Sequence, residues 1–506
     1  MLKWIVGNKV DHPLADLKET RAMIADLPSH DCVKAIDEIT HWLESLNDVD
    51  GFKLDRLFEV VDLFDSAARN HQRKLVQDYL AMPRQQKMQE NRLWTCGYKF
   101  AQALGDIYLF CMRQHEAGAP GAANMKKHMP VIVARALRAL ALQVKWIMLR
   151  YGPFEPSLWA SIGELYRCAE TGGYTSVPLA IYSGVQGRGT VRQEYLKIMM
   201  LWASSADVLS PLKQEIAERT VAYVATSFRL ESAPFAGAIY CFDPARDRRP
   251  MRMFGAPITG DNLYYFSPGD AAAKLSEIVP ALEKTGALPS DVNLGGQYPG
   301  DLVLSVFKHL CLYWSEKPPA RASERRATTA RITVVPGYFQ LLDELERDDR
   351  DALNFNVTNA ESWIVENVSD NGYGALVPAA TTDWIRVGEL IGVQVEGSQR
   401  WGVALVRRVM RDEQRQYHVG IEVISRSVHA VHISHGAGRD SESVVLLSNS
   451  PDSNGEVGLL VRAGRFNPGI SGEMTIRGAK YTITPTRMVD AGDDFDWAMY
   501  KVTRPA

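Results

Sequence analysis

Basic side chains concentrate between residues 317 and 331 of this 506-residue chain. The stretch holds one acidic residue, Glu324, against five basic ones: Lys317, Arg321, Arg325, Arg326 and Arg331. An arginine guanidinium bonds two phosphate oxygens at once, stacks on flat rings and pairs with the O6 and N7 atoms of guanine. The cluster therefore favours a compact anionic purine ligand. The alternative interpretation is that this segment is a basic linker exposed to solvent, with no ligand.

A second polar motif starts thirty-six residues after Arg331, with the sequence NVSDNG at 367–372. It directly follows a strand-like run at 363–365. Asn367 and Ser369 supply short hydrogen-bonding side chains, and Gly372 permits a close backbone approach. Taken alone, the motif is equally typical of an ordinary Asx or Ser turn that ends in a left-handed glycine.

Composition limits the kinds of partner that the chain can have. The 57 Lys and Arg residues nearly balance the 60 Asp and Glu residues, which leaves a net charge of −3. A protein that binds long nucleic acid is usually far more basic, so an anionic ligand must be met by a local cluster. With 46% hydrophobic and 23% charged residues, the sequence also excludes a disordered, collagen-like or disulfide-stapled chain.

The most apolar segment, 131–149, contains Arg135, Arg138 and Lys145, so we do not expect it to span a bilayer. We expect a helix there, with its charged side chains extending from an apolar surface into water. The six cysteines are scattered and form no CxxC pair, which is typical of buried, reduced thiols. These features predict a cytoplasmic protein without a membrane-spanning segment.

The sequence contains few motifs that are typical of catalytic or metal-binding sites. It contains no GxSxG, no HExxH and no plausible Cys-His pairing, so we predict that the protein is not an enzyme. His429, His432 and His435 have HxxHxxH spacing, but in a β or loop segment His432 points away from His429. We therefore expect ordinary polar residues there, with no metal and no cofactor.

Helical periodicity dominates the first part of the chain. One stripe of an amphipathic helix is formed by apolar residues at helical spacing, namely Leu54, Leu57, Phe58, Val61 and Phe64. Similar spacing continues to about residue 230. We predict a helical domain over 1–315 that contains a bundle of seven to nine helices and a small mixed insert at 232–300. Pro318 and Pro319 then mark a linker.

After residue 331 the pattern changes to β. Short β-branched or aromatic runs occur at 331–335, 362–365, 390–395, 401–409 and 417–424, with an acidic helical or loop excursion at 341–353. A second group follows at 443–447, 456–461, 473–476, 480–484 and 495–502. This spacing predicts two small antiparallel barrels, one at 316–430 that includes the arginine-rich arm and one at 431–506.

The arm and the NVSDNG motif together resemble the PilZ domain family, whose members are receptors for the bacterial second messenger cyclic di-GMP. That family has an RxxxR arm entering its first strand and a [D/N]xSxxG motif on a later strand. The strand runs VGEL at 387–390, WGVALVRRV at 401–409 and YHVGIEV at 417–423 are also similar. The resemblance covers about residues 321–428. It implies that the first barrel is PilZ-like. Together with the patterns above, it predicts a multidomain chain with an all-α N-terminal helical domain, a PilZ-like antiparallel β-barrel and a second small β domain.

The resemblance implies cyclic di-GMP as the ligand and assigns roles to residues of this chain. Arg331 takes the place of the second arginine, and Arg326 or Arg325 that of the first. The spacing from Arg326 to Arg331 is one residue longer than in the family motif, whereas the literal RxxxR pair is Arg321 and Arg325. The arginines would clamp phosphates and guanine faces. The other guanine edge would be contacted by Asn367, Ser369 and Gly372.

The resemblance further implies a bacterial, non-enzymatic receptor. In it, cyclic di-GMP would order the arginine-rich linker and re-orient the helical domain, which would signal to a protein partner. An alternative interpretation is a degenerate PilZ-like scaffold that binds no nucleotide. A third, single-stranded RNA binding, is disfavoured by the slightly acidic balance and by the lack of basic strand faces with interleaved aromatic residues.

Overall fold

The structure is a computed structural model, and it describes most of the chain: residues 12–47, 51–83, 86–184, 187–256, 258–319, 324–348, 360–377, 384–434, 441–448, 450–476 and 478–503. The chain divides into two compact units. Met1–Ala206 and Pro211–Ala320 form the first, here called the helical unit. Asp207–Ser210 and Arg321–Ala506 form the second, here called the barrel unit.

The helical unit begins with nine α-helices in its described residues. They are α1 (Leu17–Ala25), α2 (Cys32–Ser45), α3 (Leu54–Leu80), α4 (Lys87–Glu116), α5 (Ala122–Met125), α6 (Met129–Met148), α7 (Pro156–Thr171), α8 (Val191–Trp202) and α9 (Pro211–Tyr223). The predicted helix at 54–64 is the start of α3, and the apolar segment at 131–149 is α6. No helix in the described ranges is long and apolar enough to cross a membrane.

The expectation that the charged residues of α6 extend into water is wrong for Arg135 and Lys145, whereas the side chain of Arg138 is 35% exposed. Arg135 is 4% exposed and Lys145 is 7% exposed. Arg135 pairs with Asp62 and Asp65 of α3, and Lys145 pairs with Glu215 of α9. Because buried charges are tolerated only when they are paired, these ion pairs between helices take the place of the expected solvation.

Residues 229–313 combine strands and helices. Four short strands form an antiparallel sheet in the order β1-β4-β2-β3, and they are β1 (Arg229–Glu231), β2 (Tyr240–Phe242), β3 (Met251–Arg252) and β4 (Tyr264–Ser267). Two helices follow and pack against each other, α10 (Ala271–Thr285) and α11 (Gly300–Tyr313). The interval 232–300 therefore contains both strands and helix.

The first barrel of the barrel unit is closed, antiparallel and six-stranded, in the order β10-β7-β6-β5-β8-β9. Its strands are β5 (Arg326–Pro336), β6 (Glu361–Ser369), β7 (Gly372–Val377), β8 (Leu390–Val395), β9 (Gly402–Arg411) and β10 (Tyr417–Ser425). The acidic excursion after β5 is a helix, α12 (Gly337–Asp348), and the rest of the predicted interval lies outside the described residues.

A second closed antiparallel barrel follows, in the order β11-β12-β13-β16-β15-β14. Its strands are β11 (His429–Ser434), β12 (Glu442–Leu446), β13 (Glu456–Arg462), β14 (Gly472–Ile476), β15 (Ala479–Ala491) and β16 (Phe495–Thr503). The predicted fold class is thereby confirmed, because a helical region is followed by one antiparallel barrel and then by another small β domain.

Both faces of β8 are buried over its first four residues, which explains the apolar run at 390–393. Leu390 and Ile391 point to opposite faces of the strand, yet neither is exposed. Helix α12 packs against β8. At Gly392 a Cβ atom would lie 2.6 Å from Val335 Cγ2 and 2.8 Å from Leu341 Cδ1, so this glycine allows the close approach of the helix to the strand.

The two barrels share one hydrophobic core, with α12 at its centre. The helix contributes Tyr338, Leu341 and Leu345. Buried residues on both sides of the helix join the same cluster: Val335, Leu390, Trp401, Val403 and Leu405 from the first barrel, with Val445, Leu447, Leu460 and Phe495 from the second. Neither barrel can therefore bury its apolar surface fully without the other.

The second barrel also holds the first turn of α12. Asp494 Oδ2 accepts a hydrogen bond of 2.7 Å from the backbone N–H of Tyr338. The Tyr338 hydroxyl donates to the carbonyl oxygen of Ser443 at 3.2 Å. Gly337 has a φ of 78°, and a Cβ atom there would lie 2.7 Å from Asp494 Oδ2. A carboxylate near the N-terminus of a helix satisfies a free N–H group and complements the helix dipole.

We expect Leu341→Ala to lower the free energy of unfolding of the barrel unit by about 2–5 kcal/mol, because it leaves a cavity in the shared core. The matched control is Phe339→Ala on the same helix, since Phe339 is 53% exposed. The control should cost less than about 1 kcal/mol. Urea denaturation followed by circular dichroism measures both values, and equal losses in the two variants would contradict a core centred on α12.

Candidate ligand-binding site on the first barrel

The arginine-rich segment enters β5 earlier than its sequence predicts. β5 begins at Arg326, five residues before the predicted start of the strand at 331, so Arg331 lies within the strand. The β-branched residues Thr328 and Thr329 favour an extended backbone, and the segment pairs with β6 through an irregularity between Ala327 and Ala330. Arg325 precedes the strand and is exposed, whereas Arg321 lies outside the described residues.

The two arginines of β5 stand at different positions along β6. Arg331 is opposite Ile364, and Arg326 is opposite Val368 near the other end of the strand. Both are exposed, and Arg331 Nη1 lies 3.4 Å from Ser362 Oγ. At about 3.3 Å per residue, the five residues from one to the other span roughly 15 Å. A ligand that reaches both arginines must therefore be elongated or carry two anionic groups.

Asn367 lies on β6 with its side chain over a glycine of the neighbouring strand. It pairs with Gly374 of β7, where a Cβ atom would lie 2.5 Å from Asn367 Oδ1 and 2.7 Å from Nδ2. Any other residue at 374 would displace the amide. Asn367 Oδ1 is buried and has no hydrogen-bond partner among the described residues. A buried polar atom without a partner is costly, so this amide has unused capacity for hydrogen bonding.

Gly372 is required by the barrel itself. Its φ is not positive, so the left-handed turn that was the alternative interpretation does not form. A Cβ atom at 372 would instead lie 1.9 Å from the carbonyl oxygen of Ile421 on β10. Ser369 and Gly372 pair across the β6–β7 hairpin, and Ser369 Oγ lies 3.3 Å from the Gly372 carbonyl oxygen. The motif therefore continues into a strand, β7, that sequence analysis did not predict.

Two glycines form the floor of this face. Gly374 of β7 pairs directly with Gly420 of β10, and Gly420 pairs in turn with Arg408 of β9. One row across four strands therefore reads Asn367, Gly374, Gly420 and Arg408. We call the two central positions the glycine floor. Because directly opposite residues share a face, the floor lies between two polar side chains, with the Asn367 amide over Gly374 and bare backbone at Gly420. Glycines inside strands often mark close approach of a ligand or another backbone, and this signal was available in the sequence.

Charged side chains surround the glycine floor and pair with one another. His418 of β10 lies 3.4 Å from a carboxylate oxygen of Glu366 and 3.1 Å from one of Asp412. Burial would raise the pKa of Asp412, but hydrogen bonds from the Gln416 backbone and His418 outweigh it and hold the pKa below its ordinary value. In the part of the chain that the structure describes, no group of three or more His, Cys, Asp or Glu residues is placed to hold a metal, and His435 lies outside that part.

An antiparallel six-stranded barrel with arginines on its first strand, and an NxSxxG hairpin on the next, defines a PilZ domain. The resemblance expected from the sequence is confirmed. The domain lies in the middle of the chain, because a second barrel follows it.

Comparison with family models is more specific. Residues 18–234 match the N-terminal domain of the cyclic-di-GMP receptor FimW, and residues 344–429 match the middle PilZ domain of the same receptor. The two matches cover more than half of the chain, which belongs to this receptor family. The second match begins after β5, so the arginines of β5 lie outside it. No curated protein matches the chain significantly.

We expect Gly372→Ala to lower the free energy of unfolding by about 1–3 kcal/mol, since its Cβ would meet backbone that cannot move aside. The control is Gly469→Ala in an exposed turn of the second barrel, where the nearest atom would lie at an ordinary 3.5 Å. Thermal and urea denaturation measure both variants. A Gly372→Ala protein as stable as the control would show that the approach of β7 to β10 is not close.

Proposed function

We propose that this protein is a receptor for cyclic di-GMP, which binds on the outer face of the first barrel over the glycine floor. The observation that carries the proposal is the row formed by Asn367, Gly374 and Gly420, which offers a flat surface with an unused amide at its edge. The arginines of β5 stand on the strand beside it. Membership of a cyclic-di-GMP receptor family supports the same ligand.

The chemistry of the face matches the two parts of such a ligand. Each phosphodiester carries one negative charge, and Arg326 and Arg331 are exposed guanidiniums that can bond phosphate oxygens in pairs. A guanine ring lying on the glycine floor would reach the amide of Asn367 and the hydroxyl of Ser369 with its polar edges. Arg325 and Arg321 remain further candidates for the phosphates, the latter outside the described residues.

The competing interpretation is a barrel that serves only as a scaffold. A scaffold has no need for a buried amide oxygen without a partner, nor for two directly paired glycines that remove side-chain contacts from the barrel surface. Both features lower stability in the absence of a ligand. They therefore support the receptor. We propose no catalytic step, in keeping with a receptor family.

We expect Arg326→Ala and Arg331→Ala each to weaken cyclic di-GMP binding by roughly 10- to 150-fold, since a hydrogen bond to a charged group contributes about 1.5–3 kcal/mol. The matched control is Arg400→Ala, an exposed arginine in the turn between β8 and β9 of the same barrel. Isothermal titration calorimetry on the full chain measures the affinities, with GTP and cyclic di-AMP as comparison ligands.

Two results would count against this site. Unchanged affinity in both variants would remove the arginines of β5 from it, and no heat with cyclic di-GMP in the unaltered protein would favour the scaffold. Circular dichroism spectra that match the unaltered protein show that the variants have folded, which the exposure of both side chains leads us to expect.

Binding would also act on the connection between the two units. The basic stretch at 317–331 spans the last point at which the chain passes from the helical to the barrel unit, between Ala320 and Arg321. We propose that the ligand, bound by Arg326 and Arg331 on β5, orders the part of the basic stretch that precedes this strand and re-orients the helical unit toward a protein partner in the cytoplasm. Like charges close together repel, and two phosphates would relieve that repulsion.

We expect cyclic di-GMP to slow amide hydrogen exchange in residues 324–331, because the ligand holds their side chains against β6. Arg331→Ala should abolish this protection, and Arg400→Ala should preserve it. Exchange measured by mass spectrometry, together with small-angle scattering for the re-orientation, tests the mechanism. Protection confined to 367–374, with no change at 324–331 and an unchanged scattering profile, would contradict linker ordering while leaving ligand binding intact.

A further inference from the structure

A cavity of about 340 Å³ opens in the helical unit between α3, α6, α8 and α9. All of its lining residues lie between Asp65 and Ala222, so it shares none with the glycine floor of the first barrel. Part of its wall is apolar, with Val76, Ile198 and Leu201 among the lining side chains. The volume lies at the lower end of the range for small-molecule pockets, about 300–1,000 Å³.

The charged wall of the cavity is predominantly basic. Six cationic side chains line it, which are Arg69, Arg73, Arg138, Lys145, Lys197 and Arg219. Lys145 and Arg219 are neutralised in place, because both pair with Glu215 and with Glu218. Burial alone would lower the pKa of Lys145, but the two carboxylates outweigh it and hold the pKa above its ordinary value.

The remaining cations are only partly neutralised. Glu194, which is 4% exposed, forms ion pairs with both Arg138 at 3.0 Å and Lys197 at 2.9 Å. For Arg69 and Arg73, one turn apart on α3, no carboxylate of the described residues lies within ion-pair distance. The cavity therefore presents positive charge that its own carboxylates do not balance.

Three guanidiniums also converge on a single aromatic ring. The Tyr182 ring has Arg69 at 4.4 Å, Arg135 at 4.5 Å and Arg138 at 5.4 Å from its centre. Its hydroxyl donates to Asp65 Oδ1 at 3.2 Å, which fixes the ring. An aromatic ring can hold cations by its face. Arg135 pairs with Asp62 and Asp65, and Arg138 pairs with Glu194. Arg69 has no carboxylate of the described residues within ion-pair distance, so an anion placed here would neutralise it.

We propose that this cavity binds a small phosphate-bearing molecule, held by Arg69, Arg73, Arg138 and Lys197 above the apolar wall. A phosphate group keeps its charge at neutral pH, and arginine meets its oxygens in pairs. The volume fits a molecule of mononucleotide size or smaller. Because α3, α6 and α8 each supply a cation, the ligand would join three helices and stabilise the helical unit.

Pyrophosphate and inorganic phosphate are the probes for this site, titrated into the full chain at constant ionic strength with chloride as the reference anion. We expect saturable binding of pyrophosphate and a rise in melting temperature. Arg69→Gln and Arg73→Gln should each weaken binding at least tenfold. Arg167→Gln, an exposed arginine of α7 outside the cavity, is the matched control and should leave binding unchanged.

The two ligand sites are separable in this test. Arg326→Ala and Arg331→Ala should keep pyrophosphate binding, whereas Arg73→Gln should keep cyclic di-GMP binding. Arg73 is exposed at the cavity mouth, so its variant is expected to fold with an unchanged or higher melting temperature in the absence of phosphate. No saturable binding of pyrophosphate, or equal losses in Arg73→Gln and Arg167→Gln, would overturn the proposal.

Discussion

The hydrophobic core around α12 belongs to two barrels at once, and the rest of the barrel unit depends on that sharing. Leu341 packs where β8 has a glycine, and Val445, Leu460 and Phe495 close the core from the other side. The faces of β8 are therefore buried by this packing and are not available to a ligand. The surface formed by β6, β7 and β10 is left for a ligand, and it carries the glycines and the polar side chains.

The shape of that surface results from glycines at positions where other residues would project side chains. A barrel is normally stabilised by cross-strand pairs, each of which contributes a few tenths of a kcal/mol or more. At Gly374 and Gly420 the pair is absent, and the amide of Asn367 occupies part of the space. Gly372 is different, because backbone of β10 already fills the position that its Cβ would take. The glycines of β7 and β10 thus have two separate roles: Gly372 allows close packing of the strands, whereas Gly374 and Gly420 keep the outer face free of their own side chains.

Much of the fold follows from the sequence, whereas the site follows only in outline. The strands β8, β9, β10 and β13 have clear apolar alternation or runs, and α3 and α6 have clear helical stripes, so local pattern predicts them. β7 was missed because Gly372 and Gly374 weaken its strand propensity. The start of β5 was placed too late because Ala-Thr-Thr-Ala carries little hydrophobic signal. The buried pairs of Arg135 and Lys145 were inaccessible, since their partners lie on other helices and pairing across such distances leaves no local pattern.

The bond between Asp494 and the first turn of α12 has a consequence for synthesis on the ribosome. Tyr338 and Asp494 are 156 residues apart in the chain. At about 5–20 residues per second, the carboxylate is made roughly 8–30 s after the helix that it caps. From the time Ser425 is made until Asp494 follows, the PilZ barrel has all of its strands but lacks both the cap and the part of the shared core that the second barrel supplies. The PilZ barrel can therefore complete its packing only after the last strands of the second barrel have been synthesised. Until then, the nascent chain exposes the apolar side of α12.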